Sequence, residues 1–344
     1  MTRLERRYRS LLRLLPPAYR AEREEEMIGT VMADRNDELD LEYGWPGWPE
    51  AWAVAVLAVR TRLAGPGGPP RAAAHGDTVR LVALLGLLVS SVMAVAAMAT
   101  WLSIVWRPAY PADVVPDRWI PAATILGLAA VGAFVLLVLG YRLWAKGLAL
   151  VAVLPSLVEV ARALPRGPGS LWTVVAYDAM TWITVGCLFA GFHREAPAPA
   201  ARPWLRALTT GVGLAVVAAA GLRLLPLTGQ TLSPLWLVPD LRTLFGWMII
   251  IAATVCLVAP RLRDRGLVGP WALALAVCAV AILPERINFL AELSDLSARG
   301  DTSGIAAAVV LGQVASLAAL VVVLIPLGTR EVRKLPPTAT PLAG

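Results

Sequence analysis

The sequence predicts an all-α protein, a polytopic membrane helix bundle of about eight transmembrane helices preceded by a small three-helix cytoplasmic domain. The 344 residues are 58% hydrophobic and only 16% charged, whereas soluble domains carry about 25% charged residues. Residues 81–106 contain no charged residue. This segment exceeds the roughly 20 apolar residues that a helix needs to cross a hydrocarbon core about 30 Å thick.

Further apolar stretches follow this first span. They predict transmembrane helices near residues 120–141, 147–164, 171–192, 205–225, 241–259, 267–283 and 304–327. The weakest of these is 147–164, because Pro155, Glu159 and Arg162 interrupt it; without this span the C-terminus would lie outside. Since the first span lacks ionisable residues, we expect it to lie at the edge of the bundle and to anchor the N-terminal arm.

The distribution of cationic residues predicts the orientation in the membrane. Arginine and lysine are concentrated in alternate loops, at Arg142 and Lys146, Arg194 to Arg206, Arg261 to Arg265, and Arg330 to Lys334. By the positive-inside rule these loops, and with them both termini, are cytoplasmic. Arginines placed in the cytoplasmic loops also account for the net charge of +7. We therefore expect the lipid bilayer, and no nucleic acid, as a partner. The strong preference for arginine over lysine is typical of GC-rich bacteria and favours the bacterial plasma membrane.

Residues 1–64 form the predicted cytoplasmic arm. Its first helix has an apolar stripe and a basic surface with Arg6, Arg7, Arg9 and Arg13, and its second helix is acidic. Two interpretations remain open: the opposite charges of these helices neutralise each other, or the basic helix lies on the anionic inner leaflet. Residues 65–79 predict a Pro/Gly linker, 80–329 the bundle, and 330–344 a disordered cytoplasmic tail.

Part of the arm resembles a known family. Residues 7–27 are similar to the helical "permease prefix" found ahead of multi-span regions in high-GC bacterial membrane proteins. The matching positions are Tyr8, Leu11, Leu12, Arg13, Pro16, Tyr19, Arg20, Glu25, Glu26 and Met27, whereas Glu24 stands where a glycine is common. The resemblance implies a cytoplasmic docking or signalling domain and, as partner, a transcriptional repressor or sigma factor. It implies no catalytic residue.

Motifs of soluble enzymes are absent from the sequence. There is no GxxxxGK[ST], HExxH or GxSxG segment. The two histidines and three cysteines do not make up a plausible zinc-ligand set. We therefore expect no enzymatic activity, no metal and no cofactor.

Ionisable residues inside the spans are the candidate site, because a charge in the hydrocarbon region is costly and commonly functional. In the predicted topology they cluster in the outer half of the membrane: Glu159, Arg162, Asp178, Arg223, Glu285 and Arg286. One interpretation is an outward-facing polar cavity in which Asp178 and Glu159 face the arginines and bind a small polar ligand, a lipid headgroup or a proton. The other is structural: Arg223 and Arg286 extend to the interface, and Glu159 and Arg162 pair one helical turn apart.

Two functional classes fit these features. The first is a membrane signalling or regulatory protein whose arm docks a cytosolic partner. The second is a transporter or permease subunit energised by a separate ATPase. The arm favours the first class, and intramembrane charges fit both.

Overall fold

The computed structural model describes residues 2–33, 44–63, 69–105, 119–193, 196, 198–224, 268–298 and 304–336. Within these ranges all regular structure is helical. The chain divides into two compact units. Unit 1 contains residues 1–77, 193–196 and 335–344, and unit 2 contains residues 78–192 and 197–334.

Three helices of unit 1 bury a common core. They are α1 (Arg3–Leu12), α2 (Pro17–Ala33) and α3 (Trp48–Arg62). The Thr2 hydroxyl accepts a hydrogen bond from the Glu5 N–H at 3.2 Å and caps α1. Prolines at the start of α2 and in the first turn of α3 suit positions whose N–H groups have no helical partner. The core contains Tyr8, Leu12, Leu15, Ile28, Val54 and Ala58.

The remaining helices follow in the order of the predicted spans. They are α4 (Pro70–Val105), α5 (Trp119–Gly127), α6 (Ala129–Val138), α7 (Arg142–Ala163), α8 (Pro168–Gly191), α9 (Ala201–Leu224), α10 (Val268–Ala298) and α11 (Gly304–Arg333). Among the described residues, five segments are long and apolar enough to cross a membrane: Pro70–Ala99, Arg142–Arg166, Pro168–Gly191, Val268–Leu293 and Ala307–Arg333. The protein is therefore a membrane-embedded helical protein.

The weakest predicted span, residues 147–164, corresponds to one of these five segments. The span predicted at 241–259 lies outside the described residues. The span predicted at 120–141 is broken at Leu128 into α5 and α6. At this break the Ser91 hydroxyl of α4 lies 2.6 Å from the Leu87 carbonyl and 3.1 Å from the Ala130 carbonyl. This contact ties the broken segment to α4.

The expected position of the first span at the bundle edge is wrong. In the most apolar segment of α4, 61% of the residues are buried, against 17–56% in the other four candidate spans. Leu84, Leu88 and Val92 belong to one buried cluster, and Val82 and Leu85 belong to a second. A helical segment that is apolar all round suits a central position, and the absence of charged residues from positions 81–105 of α4 reflects this burial.

Two predicted boundaries also differ from the structure. The linker expected over 65–79 is helical from Pro70, because Ala72, Ala73 and Ala74 extend α4 toward its N-terminus. The seventh span, expected to end at residue 283, continues through Pro284 as part of α10. Its extension is held by a small apolar cluster of Phe289 and Leu293 with Val310 of α11.

Candidate ligand-binding site

A cavity of about 560 Å³ lies between helices of unit 2. Its walls come from α4, α5, α6, α7, α8 and α10, and most of the lining side chains are apolar, such as Met93, Val153 and Val185. Three carboxylates line the same cavity: Glu159 of α7, Asp178 of α8 and Glu285 of α10. Among the described lining residues there is no lysine, arginine or histidine. The cavity is therefore apolar with an acidic portion.

Local helix geometry brings the three carboxylates to the cavity. Glu159 lies one turn before the end of α7 at Ala163. Asp178 is ten residues after Pro168, which is about 15 Å along α8 at 1.5 Å per residue. Glu285 follows Pro284, which lacks the N–H that would bond to the preceding turn of α10. Pro155 of α7 lines the cavity as well, so two of the contributing helices contain an internal proline.

Hydroxyl groups complete the polar part of the lining. Ser90, Thr124, Ser156, Thr181 and Thr184 line the cavity together with Tyr177. The Tyr177 hydroxyl donates a hydrogen bond to Oε1 of Glu292 at 3.3 Å, which links α8 to α10. Glu285 and Arg286 also lie within electrostatic range of Tyr177. These hydroxyls were not predicted as site residues, since serine and threonine are common in membrane helices.

Glu159 and Arg162 form the ion pair that their spacing predicted. Nη1 of Arg162 lies 3.1 Å from Oε1 of Glu159, and the two side chains are 40% and 39% exposed. Arg162 is not among the residues that line the cavity. The structural interpretation therefore accounts for Arg162, while Glu159 takes part in the pair and also contributes to the cavity wall.

Arg286 is buried rather than extended to an interface. Its side chain is 1% exposed, and its guanidinium lies 5.5 Å from the centroid of the Phe289 ring. Because α10 continues to Ala298, Arg286 is well inside the helix, and its predicted place near the helix end is wrong. Arg286 does not line the cavity.

The remaining predicted site residue is Arg223. The helical backbone at this position belongs to α9, but its side chain lies outside the described residues. The structure thus brings together Glu159, Asp178 and Glu285 at one cavity and separates Arg162 and Arg286 from its lining. Helix α4 supplies a wall of this cavity as well, with Leu87, Ser90, Met93, Ala94 and Ala97.

The arginines predicted to bind a partner or the membrane surface differ in their surroundings. Arg9 contacts three carboxylates, Glu5 at 3.2 Å, Glu24 at 3.9 Å and Glu25 at 3.0 Å. Arg7 donates a hydrogen bond to the Gly44 carbonyl at 3.2 Å and lies 5.9 Å from the centroid of the Trp45 ring. Arg6 and Arg13 are exposed. Charge neutralisation between α1 and α2 thus involves Arg9, whereas Arg6 of α1 and Arg13 just after it face solvent.

Two further observations bear on the site's identity. Within the described residues, no group of three or more histidine, cysteine, aspartate or glutamate side chains is arranged to hold a metal ion. Comparisons with family models, curated proteins and solved structures found no match to this chain. The similarity of residues 7–27 to the permease-prefix family therefore stays a prediction. The fold and the cavity together define a class: helical membrane proteins with a largely apolar cavity between their helices that has an acidic portion.

Proposed function

We propose that this protein is a signalling or regulatory protein of the bacterial plasma membrane that binds a small hydrophobic organic cation. Binding would occur in the acidic cavity, and the N-terminal arm would dock a cytosolic protein partner that responds to it. The observation that supports the proposal is the presence of carboxylates from three different helices, Glu159, Asp178 and Glu285, along one cavity. A ligand that contacts all three would bias the arrangement of α7, α8 and α10, which a signalling protein requires.

The size and composition of the cavity favour an organic cation. A volume of about 560 Å³ is within the range of roughly 300–1,000 Å³ that is typical of small-molecule sites. The apolar wall would cover a hydrocarbon or aromatic body. The carboxylates would neutralise a positive charge where little water is present, so that electrostatic attraction is stronger than in bulk solvent.

The proposed orientation places both termini in the cytoplasm. Arg142 and Lys146 at the start of α7 and Arg330 and Arg333 at the end of α11 would then lie on the inner side. The carboxylates lie nearer to the opposite helix ends, so the cavity would receive its ligand from outside. The arm would remain on the inner side, where α2 exposes Glu22 and Glu26 to a basic partner.

A transporter, or a permease subunit energised by a separate ATPase, is the second candidate. The internal prolines favour it: Pro155 lines the cavity and Pro284 precedes Glu285. Prolines kink helices and leave carbonyl groups without their helical partner. Interrupted helices of this kind often surround the substrate sites of transporters.

The cavity is tested by binding of tetraphenylphosphonium to the full-length protein in nanodiscs, measured by equilibrium dialysis. We expect saturable binding. Substitution Asp178→Asn or Glu285→Gln should weaken it about tenfold or more, since the attraction between two unit charges about 6 Å apart is roughly 3 kcal/mol at an effective dielectric constant of about 20. Glu331→Gln is the matched control, because this glutamate also lies in a helix of unit 2 but does not line the cavity. Equal affinity in the wild type and in Asp178→Asn/Glu285→Gln would refute the cationic site.

Two measurements separate the functional classes. In sealed proteoliposomes a transporter would move a membrane-impermeant organic cation, such as benzyltrimethylammonium, faster than protein-free liposomes do, whereas a signalling protein would bind it without net flux. Purification of the full-length protein from its native membrane, followed by identification of bound proteins, gives the second readout. A transcriptional regulator supports signalling, and an ATPase supports transport.

A further inference from the structure

We propose that one face of α3 lies in the headgroup region of the membrane and fixes the N-terminal unit at the bilayer surface. This aromatic face consists of Trp48, Trp52 and Val59, which are 81%, 73% and 42% exposed. The proposal goes beyond the proposed function and does not depend on the cavity, because the residues of this face belong to unit 1 and none of them lines the cavity.

Helix α3 is apolar on two sides. At 100° per residue, Trp48, Trp52 and Val59 lie within about 40° of one another around the helix axis. The other side carries Val54 and Ala58, which are 3% and 6% exposed and belong to the core of unit 1. The core therefore accounts for one apolar side of α3, and burial within the protein does not explain the aromatic face.

Helix α1, which carries exposed basic residues, contacts the segment that leads into α3 through Arg7. The hydrogen bond from Arg7 to the Gly44 carbonyl and the contact of its guanidinium with the Trp45 ring place α1 next to the segment that leads into α3. On α1 itself, Arg3 and Arg6 are exposed, as is Arg13 at its end. A surface with exposed tryptophans beside arginines matches a phospholipid headgroup region, where indole rings are favoured and phosphates attract cations.

The short connection between α3 and α4 is consistent with the bilayer as the partner of the aromatic face. Helix α3 ends at Arg62, which is exposed and, by helical periodicity, on the side of the aromatic face. Helix α4 begins at Pro70 and contains the first candidate span. The seven peptide steps from Leu63 to Pro70 reach at most about 25 Å. This covalent connection keeps α3 close to a membrane surface at all times, so the effective concentration of headgroups around it is high.

Depth-dependent quenching in the full-length protein tests the proposal. The native cysteines are replaced (Cys187→Ala, Cys256→Ala and Cys278→Ala), and one cysteine is introduced by Trp52→Cys and labelled with an environment-sensitive fluorophore. In nanodiscs whose lipids are brominated near the glycerol end of the acyl chains, we expect loss of fluorescence relative to unbrominated discs. Glu22→Cys, at an exposed position of α2, is the matched control and should lose none.

The contribution of the exposed arginines Arg3, Arg6 and Arg13 is tested in the same nanodiscs. The Arg3→Gln/Arg6→Gln/Arg13→Gln variant should reduce quenching at residue 52 in discs with phosphatidylglycerol, since each arginine near an anionic surface shifts the partition on the order of fivefold. Equal, unquenched fluorescence at residues 52 and 22 would overturn the proposal. A label at 52 that is shielded only when a cytosolic protein is added would also overturn it and identify a protein-binding face.

A measurement on the wild-type chain tests the same proposal without relying on variants that could fail to fold. Hydrogen–deuterium exchange of the wild-type chain is compared between nanodiscs and a detergent without phosphate groups. We expect slower exchange of α3 in nanodiscs, with α2 unchanged. The same exchange of α3 in both media would contradict interfacial docking.

Discussion

Gly86 of α4 lies against Thr184 of α8 so closely that a Cβ atom at residue 86 would overlap the threonine hydroxyl oxygen. Thr184 is 1% exposed, and its hydroxyl donates a hydrogen bond to the Met180 carbonyl at 2.6 Å. The side chain is thus held in place and cannot turn away from a larger neighbour. Thr184 also lines the cavity, so the contact between α4 and α8 helps to determine the shape of the candidate site.

Gly86→Ala should therefore destabilise the protein. Overpacking of a close contact typically costs about 1–3 kcal/mol, which exceeds the gain of about 0.5–1 kcal/mol that alanine brings to a helix. The free energy of unfolding is measured by titration with sodium dodecyl sulfate in mixed micelles. Gly186→Ala is the matched control, because a Cβ at that position of α8 has no neighbour within 4 Å. A loss of stability in the control as large as in Gly86→Ala would contradict the steric explanation.

The hydrogen bond between Tyr177 and Glu292 provides a second prediction. Tyr177→Phe removes the donor while leaving the ring that lines the cavity. We expect a loss of about 0.5–1.5 kcal/mol in the free energy of unfolding, as for a typical hydrogen bond. A double-mutant cycle with Glu292→Ala isolates the interaction, because alanine has no side-chain acceptor. If the effects of the two substitutions simply add, α8 and α10 are not coupled through this pair.

The sequence predicts the helices themselves well because each apolar run must be helical in lipid to satisfy its backbone groups. Sequence-based prediction fails where packing between helices determines the position of a helix or the residue at which it ends. Nothing in residues 81–106 distinguishes a lipid-facing helix from the buried α4, since both are uncharged. Pro284 looks like a helix end, but the cluster of Phe289, Leu293 and Val310 carries α10 past it.

The site was predictable in part for a similar reason. The cost of a charge in the membrane identifies Glu159, Asp178 and Glu285 directly. It does not tell which side of each helix faces the others, and so it could not separate these carboxylates from the buried Arg286, which contacts Phe289 instead. The contribution of α4 to the cavity depends on small residues such as Ala94 and Ala97, which carry no recognisable signal in a sequence rich in alanine.

Arg9 should be important for the packing of α1 on α2. Arg9→Gln removes its contacts with Glu5, Glu24 and Glu25. We expect faster hydrogen exchange in both helices of the full-length protein, with a smaller difference from the wild type at high salt, because salt screens exposed ion pairs. Arg13→Gln is the control at an exposed position of the same segment. An effect of Arg9→Gln that is independent of salt would argue against electrostatic pairing.

The core of unit 1 should lose stability in strong alkali. Burial, and in addition the nearby carboxylate of Glu50, raise the pKa of Tyr8 above its ordinary value of 10.0. Since the folded state holds this proton more tightly than the unfolded state does, the stabilisation is complete below pH 10 and declines as the pH rises above it. The difference in tyrosinate absorbance between the wild type and Tyr8→Phe reports the titration of Tyr8 in the folded chain.

Glu50→Gln distinguishes the two causes of this shift. Removing the carboxylate should lower the pKa of Tyr8 but leave it above 10.0, because the side chain is only 4% exposed and burial is the larger cause. Tyr8→Phe should flatten the alkaline loss of helical signal from unit 1, since phenylalanine has no proton to release. If a steep alkaline transition persists unchanged in Tyr8→Phe, the transition belongs to another titrating group. The packing of Tyr8 among Leu12, Ile28 and Val54 would then contribute to stability without any dependence on pH.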